Sequence, residues 1–163
     1  MKVLFLSPWF PFPPVNGAKN RMFHLVKALA KKHEIELVSF VRDGEAVDLA
    51  GAEEYCRSVK TIPYKKFTPH GWKARLGYFS PTPRSLLDTF SYEMSRIVPS
   101  MAEGKHAVVA CEMGTMPYAG LVRDVSCIMD DIEVATLRDA LRGASFLPRL
   151  RRRVRSDWQA RSP

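Results

Sequence analysis

The sequence predicts an α/β domain with a doubly wound parallel sheet of the Rossmann-like class. Three observations carry this. Val3–Leu6 and Ile35–Phe40 are short unbroken apolar runs, the length of strands buried on both faces. Between them Met22, Leu25, Val26, Leu29 and Ala30 recur at helical spacing on one face. Strand, helix, strand with a short second connection is a βαβ unit, which requires parallel strands. Such sheets bind ligands beyond the carboxyl ends of their strands.

The loop after the first strand lies at that edge. It carries Pro8, Pro11, Pro13 and Pro14, which exclude helix and ladder pairing and fix most of the φ angles. It ends in Asn16-Gly17, where positive φ is cheap. Gly17 and Ala18 are expected to offer backbone N–H groups at the positive helix end, suited to a phosphate or carboxylate. A side chain at position 17 is expected to crowd that end. The plainer reading of Asn16 is a helix cap. The chain has no G-x-G-x-x-G, so the dinucleotide fingerprint is missing.

Further along, a helix is expected over 46–56 and a third strand over Val59–Pro63. Residues 65–83 read as an irregular connection carrying Phe67, Trp72, Tyr78 and Phe79, packed over an edge, with acceptor contact as the alternative. Leu86, Leu87, Phe90, Met94, Ile97, Val98 and Met101 predict one continuous core helix closed by Gly104. The fourth strand is His106–Cys111, followed by Glu112 and a short helix over Met116–Val122. The fifth is Ser126–Met129, ending at Asp130-Asp131, with a helix from Glu133 onward. The expected strand order is 3-2-1-4-5.

A 163-residue chain with 46% apolar and 10% aromatic residues supports one packed domain. No apolar run reaches a membrane span, and the start has no signal-peptide pattern. Cys56, Cys111 and Cys127 lack metal spacing, as do His24, His33, His70 and His106, so no metal is expected. Cys111 and Cys127 fall in predicted strands and read as small core residues of a reducing compartment. The net charge of +8 is largely local: residues 149–163 hold six arginines against Asp157. Leu147, Leu150, Val154 and Trp158 are at helical spacing among them. The chain thus divides into a Rossmann-like domain, 1–145, and a basic amphipathic tail, 146–163. Three readings of the tail stand: a helix docking on another domain, a membrane-surface helix, or a nucleic-acid contact. The last ranks lowest, and nucleic acid is not expected.

The first forty residues resemble the opening of a GT-B glycosyltransferase of the retaining family 4. Those enzymes share a strand of the form MKILFLS, a loop with P-x-P-P, a Gly-Gly pair, a helix ending L-x-x-x-L-A-x-x-H and a strand V-x-L-V-S-F. Leu25, Leu29, Ala30 and His33 match in order and spacing, while Ala18 stands where the family has its second glycine. Asp131-Ile132-Glu133 resembles the family's D-x-E segment after the fifth strand. The resemblance implies the acceptor-side half of an enzyme that moves a sugar from a nucleotide-sugar, its co-substrate, to a glycan or lipid-linked acceptor with retention. No further cofactor is implied. A second domain supplies the family's nucleotide-sugar contacts and its E-x(7)-E pair. Glu45 and Glu53 have that spacing but lie after the second strand, far from its expected place. The chain by itself is therefore expected to transfer no sugar.

Glycosyl transfer needs a clamp for the leaving diphosphate and carboxylates to orient hydroxyl groups. The candidates are Glu112 as a catalytic carboxylate, and Asn16, Gly17, Ala18, Asp131 and Glu133 in substrate binding. For Glu112 the alternative is a solvated residue at a strand end. For Asp131 and Glu133 it is helix capping. The family's histidine after the fourth strand has no counterpart at Cys111-Glu112. Such an enzyme would work in the cytoplasm at the inner membrane face, with Arg149, Arg151, Arg152, Arg153 and Arg155 meeting anionic lipid. The rival readings are a non-catalytic Rossmann-like module for a phosphorylated ligand or partner chain, and a membrane-surface adaptor.

Overall fold

The computed structural model describes residues 1–68, 71 and 84–130. Their elements are β1 (Lys2–Ser7), α1 (Gly17–Ala30), β2 (Glu34–Val41), α2 (Leu49–Glu53), β3 (Ser58–Pro63), α3 (Arg84–Thr89), α4 (Tyr92–Ala102), β4 (Ala107–Cys111), α5 (Glu112–Ala119) and β5 (Ser126–Asp130). The chain forms two compact units. Among the described residues, one holds 1–64 and 91–130, the other 65–68, 71 and 84–90. No helix among the described residues is long and apolar enough to cross a membrane.

The first unit contains one parallel sheet in the order β3-β2-β1-β4-β5, as the sequence predicts. Val3 lies opposite both Ile35 and Ala107, and Phe5 opposite both Leu37 and Val109. Alternation divides the strand side chains between two faces. Val3, Phe5, Ile35, Leu37, Val109 and Cys111 join Met22 and Val26 of α1 and Ala52 of α2 in one core. Leu4, Leu6, Val38, Phe40, Val108 and Ala110 are buried on the other face. Met94, Val98 and Ala102 of α4 and Tyr118 of α5 are also buried, and Tyr118 meets Phe40 with ring centroids 5.8 Å apart. Leu4, Phe5 and Leu6 have no exposed surface. Complete burial of each contributes about 1.5–3 kcal/mol, which explains why β1 sits at the centre of the sheet.

The proline-rich loop is anchored by two aromatics. Phe10 and Phe12 are buried, and Phe12 packs against Phe23 and Tyr55 at 5.3 and 6.1 Å. The Asp48 N–H donates to the Phe12 carbonyl at 3.1 Å. The prolines limit the loop's freedom and the phenylalanines fix where it lies.

Three expectations are corrected. The helix read as continuous through 86–101 is two helices, because Ser91 adopts an extended conformation and its hydroxyl caps α4 at the Met94 N–H. The helix expected over 46–56 is confined to Leu49–Glu53, with Asp48 capping at the Gly51 N–H. Cys127 is exposed instead of core, because β5 is the terminal strand of the sheet order and its residues up to Met129 are exposed.

In the second unit, the buried Asp88 carboxylate accepts from the Thr68 N–H at 2.7 Å and from Lys65 Nζ at 3.2 Å. The expected boundary at 145/146 and the basic tail lie outside the described residues.

Candidate functional site at the carboxyl edge of the sheet

In the order β3-β2-β1-β4 the chain reverses its direction of progress between β1 and β4, so the topological switch point lies between their carboxyl ends. Four residues form a row across this edge. Tyr64 follows β3, Arg42 follows β2, Trp9 lies two residues past β1, and Glu112 follows β4 directly. Each touches the next. The Arg42 guanidinium carbon lies 5.0 Å from the Tyr64 ring centroid and 3.8 Å from that of Trp9. Trp9 Nε1–H donates to Glu112 Oε2 at 3.2 Å. All four belong to the first unit.

The local sequence builds each position. Ser7 is fully buried, and its hydroxyl donates to the Trp9 carbonyl at 2.5 Å, turning the chain as it leaves β1. Phe10 then points into the core, which leaves the Trp9 indole at the edge. Glu112 has φ of 60°, the left-handed region that costs a residue with a Cβ. The turn is held from within α5: Thr115 Oγ1 donates to the Cys111 carbonyl at 2.6 Å and meets the Glu112 carbonyl at 3.2 Å. A Cβ on Gly114 would sit 3.7 Å from Pro8 Cβ, so the start of α5 and the loop after β1 are near neighbours.

Beneath the row, burial first and then Asp130 push the Cys111 thiol up to about 12, so it remains protonated and unreactive at neutral pH. Burial likewise raises the Tyr118 phenol, against the opposing hydrogen bond its oxygen accepts from the Ser91 N–H.

Of the residues selected from sequence, Glu112 is at the switch point. Asn16 is the α1 cap: it is extended, and its Oδ1 accepts the Lys19 N–H at 2.9 Å. Gly17 and Ala18 are exposed at the helix start. Gly17 does not use a positive φ, and a Cβ there would meet nothing within 4 Å. The expected crowding at position 17 is therefore corrected: the space is open. The ammonium of Lys19 in the first turn is already paired with Glu45 and adds no unpaired charge to that end. Asp131 and Glu133 lie outside the described residues. The acidic residue seen at the end of β5 is Asp130, paired with Arg21 of α1. Sequence reading missed Trp9, Arg42 and Tyr64. Their signal was position: each comes within two residues of the end of a parallel strand.

Among the described residues no three His, Cys, Asp or Glu side chains gather in a way that could hold a metal ion. No protein-family profile matches the chain, and no curated protein matches it. Two solved structures resemble it in fold. Both are crystal structures of the C-terminal domain of a hydrogenase from Pyrococcus furiosus. The one spanning residues 78–226 has a TM-score of 0.52 and 11% identity, covering 79% of this chain and 90% of that one. The one spanning residues 83–215 has a TM-score of 0.50 and 10% identity, covering 80% and 89%. At that identity the likeness is one of α/β fold.

Proposed function

We propose that this chain is the acceptor-side domain of a GT-B glycosyltransferase of family 4, and that the row at the carboxyl edge receives the acceptor. The observation that carries the reading is Glu112. It holds a costly left-handed conformation at the switch point, with its carboxylate fixed by the Trp9 indole. Strain kept at a ligand-binding edge points to a role for the side chain. A carboxylate fixed this way orients an acceptor hydroxyl, beside an indole that Arg42 already stacks on. In this reading a second Rossmann-like domain holds the nucleotide-sugar and its diphosphate. Transfer proceeds with retention, and the acceptor is a glycan or lipid-linked sugar.

The test is an NMR titration of the purified chain with neutral oligosaccharides, and separately with nucleotide-sugars. Glycans are expected to shift the Trp9 indole N–H and the backbone amides of 112–114. They should shift them less in Glu112→Gln, where the carboxylate is gone. Nucleotide-sugars alone are expected to leave the edge unchanged. A nucleotide or phosphorylated ligand that moves these resonances while glycans do not would overturn the reading in favour of a non-catalytic binding module.

A further inference from the structure

Three cations of the first unit lie close to the carboxyl edge, and two of them are already neutralised. Lys19 pairs with Glu45, and Arg21 with Asp130. Arg42 differs. Its backbone N–H donates to Glu45 Oε2 at 2.8 Å, but among the described residues no carboxylate pairs with its guanidinium. The group lies instead between two rings, 3.8 Å from the Trp9 centroid and 5.0 Å from that of Tyr64. Aromatic contacts hold the guanidinium without using its N–H donors, which point outward in its own plane. The outcome is an exposed, planar fork whose geometry matches a carboxylate or phosphate taken through two parallel hydrogen bonds. The Glu112 carboxylate lies at the Nε1 edge of the same indole whose face Arg42 covers. A hydroxyl-orienting acid and an oxyanion fork thus meet at one indole, close enough for a single sugar to engage both.

We propose that Arg42 is the specificity residue of this face and that the acceptor is an anionic sugar. Its phosphomonoester or carboxylate is bound by the Arg42 fork, while a hydroxyl across the ring is presented to Glu112. The proposal rests on the acceptor-face reading and adds the charge of the acceptor to it. Replacing Arg42 by Lys keeps a positive charge but removes the planar fork and most of the stacking. The predicted order of affinity for an anionic sugar is therefore wild type, then Arg42→Lys, then Arg42→Gln. Because the residue is exposed, the binding should also weaken as salt is raised.

The experiment titrates the full chain and both variants with glucose, glucose 6-phosphate, glucuronate and inorganic phosphate. The readouts are the Arg42 Nε–H and Trp9 indole N–H resonances, with thermal unfolding to show that the variants remain folded. A charge-assisted fork is expected to favour the anionic sugars over glucose by about tenfold or more. That preference should disappear in Arg42→Gln. The two anionic sugars separate the phosphate source from the carboxylate source, and preference for either supports the proposal. If glucose binds at Trp9 as tightly as its 6-phosphate and Arg42 stays silent, the proposal is overturned while the acceptor-face reading survives. If inorganic phosphate matches glucose 6-phosphate, the fork takes a bare ion and the anionic-sugar proposal is overturned. If no sugar moves Trp9 or Arg42, both readings fall together.

Discussion

Replacing Glu112 with Gly and with Ala separates strain from side-chain contact at the switch point. In an ordinary helical position Ala is more stable than Gly by about 1 kcal/mol. At Glu112 the order should invert. With φ of 60°, any residue carrying a Cβ pays the left-handed penalty, about 1–2 kcal/mol. Gly escapes it but loses more freedom on folding, about 0.4–1 kcal/mol relative to Ala. Both variants lose the hydrogen bond from Trp9, so that contribution cancels in the comparison. The difference left is up to about 1.6 kcal/mol, and centred on about 0.8, in favour of Gly. For a chain of this size that is a rise in melting temperature of about 2–4 °C per kcal/mol. Urea unfolding of the two variants side by side measures it directly. If Glu112→Ala proves as stable as Glu112→Gly, or more so, the turn carries no strain, and the argument that strain is kept there for function fails.

Other consequences are equally open to measurement. Lys19 and Glu45 form a pair whose side chains are only 6% and 11% exposed, so Glu45→Ala strands a buried ammonium and should cost about 3 kcal/mol. Glu34→Ala, which breaks the far more exposed pair with Arg57, should cost under about 1 kcal/mol, and equal losses in urea unfolding would contradict this. Burial raises both the Cys56 and Cys111 thiols from 9.0 to about 12, so the unfolded chain gives up protons first as pH rises. Stability should therefore fall between pH 9 and 12, and the fall should flatten when both are replaced by Ala; an unchanged slope would place its origin elsewhere. Gly17→Ala should be neutral or slightly stabilising, because the site is open and the backbone ordinary, and a loss above about 1 kcal/mol in the same assay would restore the crowded turn.

The sheet was legible because its signal is dense. Val3–Leu6 and Ile35–Phe40 have no competing pattern, and one βαβ unit determines that the first two strands are parallel. The break within 86–101 is invisible in sequence for a related reason. Leu86, Leu87 and Phe90 continue the apolar spacing of Met94 and Val98 even though Ser91 starts a new helix. Periodicity cannot see a cap that falls inside a continuous stripe, whereas the Ser91 hydroxyl on the Met94 N–H defines the break. Cys127 reads as core from sequence because apolar composition does not distinguish a central strand from an edge one. At the site, Glu112 was accessible from sequence as the polar residue ending an apolar strand. Its left-handed backbone was not, since Glu gives no local sign of positive φ. Trp9, Arg42 and Tyr64 were hidden for another reason: they are scattered in sequence, and only the strand order brings them into one row.

That strand order also changes where an anion belongs. From sequence, the start of α1 looked like the natural anion site, with Asn16, Gly17 and Ala18 ahead of a positive helix end. The structure puts a lysine in that first turn, and Glu45 reaches back from beyond β2 to neutralise it. An incoming phosphate at α1 would find the Lys19 charge already cancelled, which leaves only the helix field to attract it. The same Glu45 accepts the Arg42 N–H through its second oxygen, fixing the backbone from which the Arg42 side chain crosses toward Trp9. One carboxylate thus discourages an anion at the helix end and steadies the residue that can accept one a few residues away. If so, Glu45→Gln should weaken binding of an anionic sugar at Arg42 while making the α1 end more receptive to inorganic phosphate. Opposite movements of the Arg42 Nε–H and Gly17 amide titrations would show the exchange, and parallel movements would break the link.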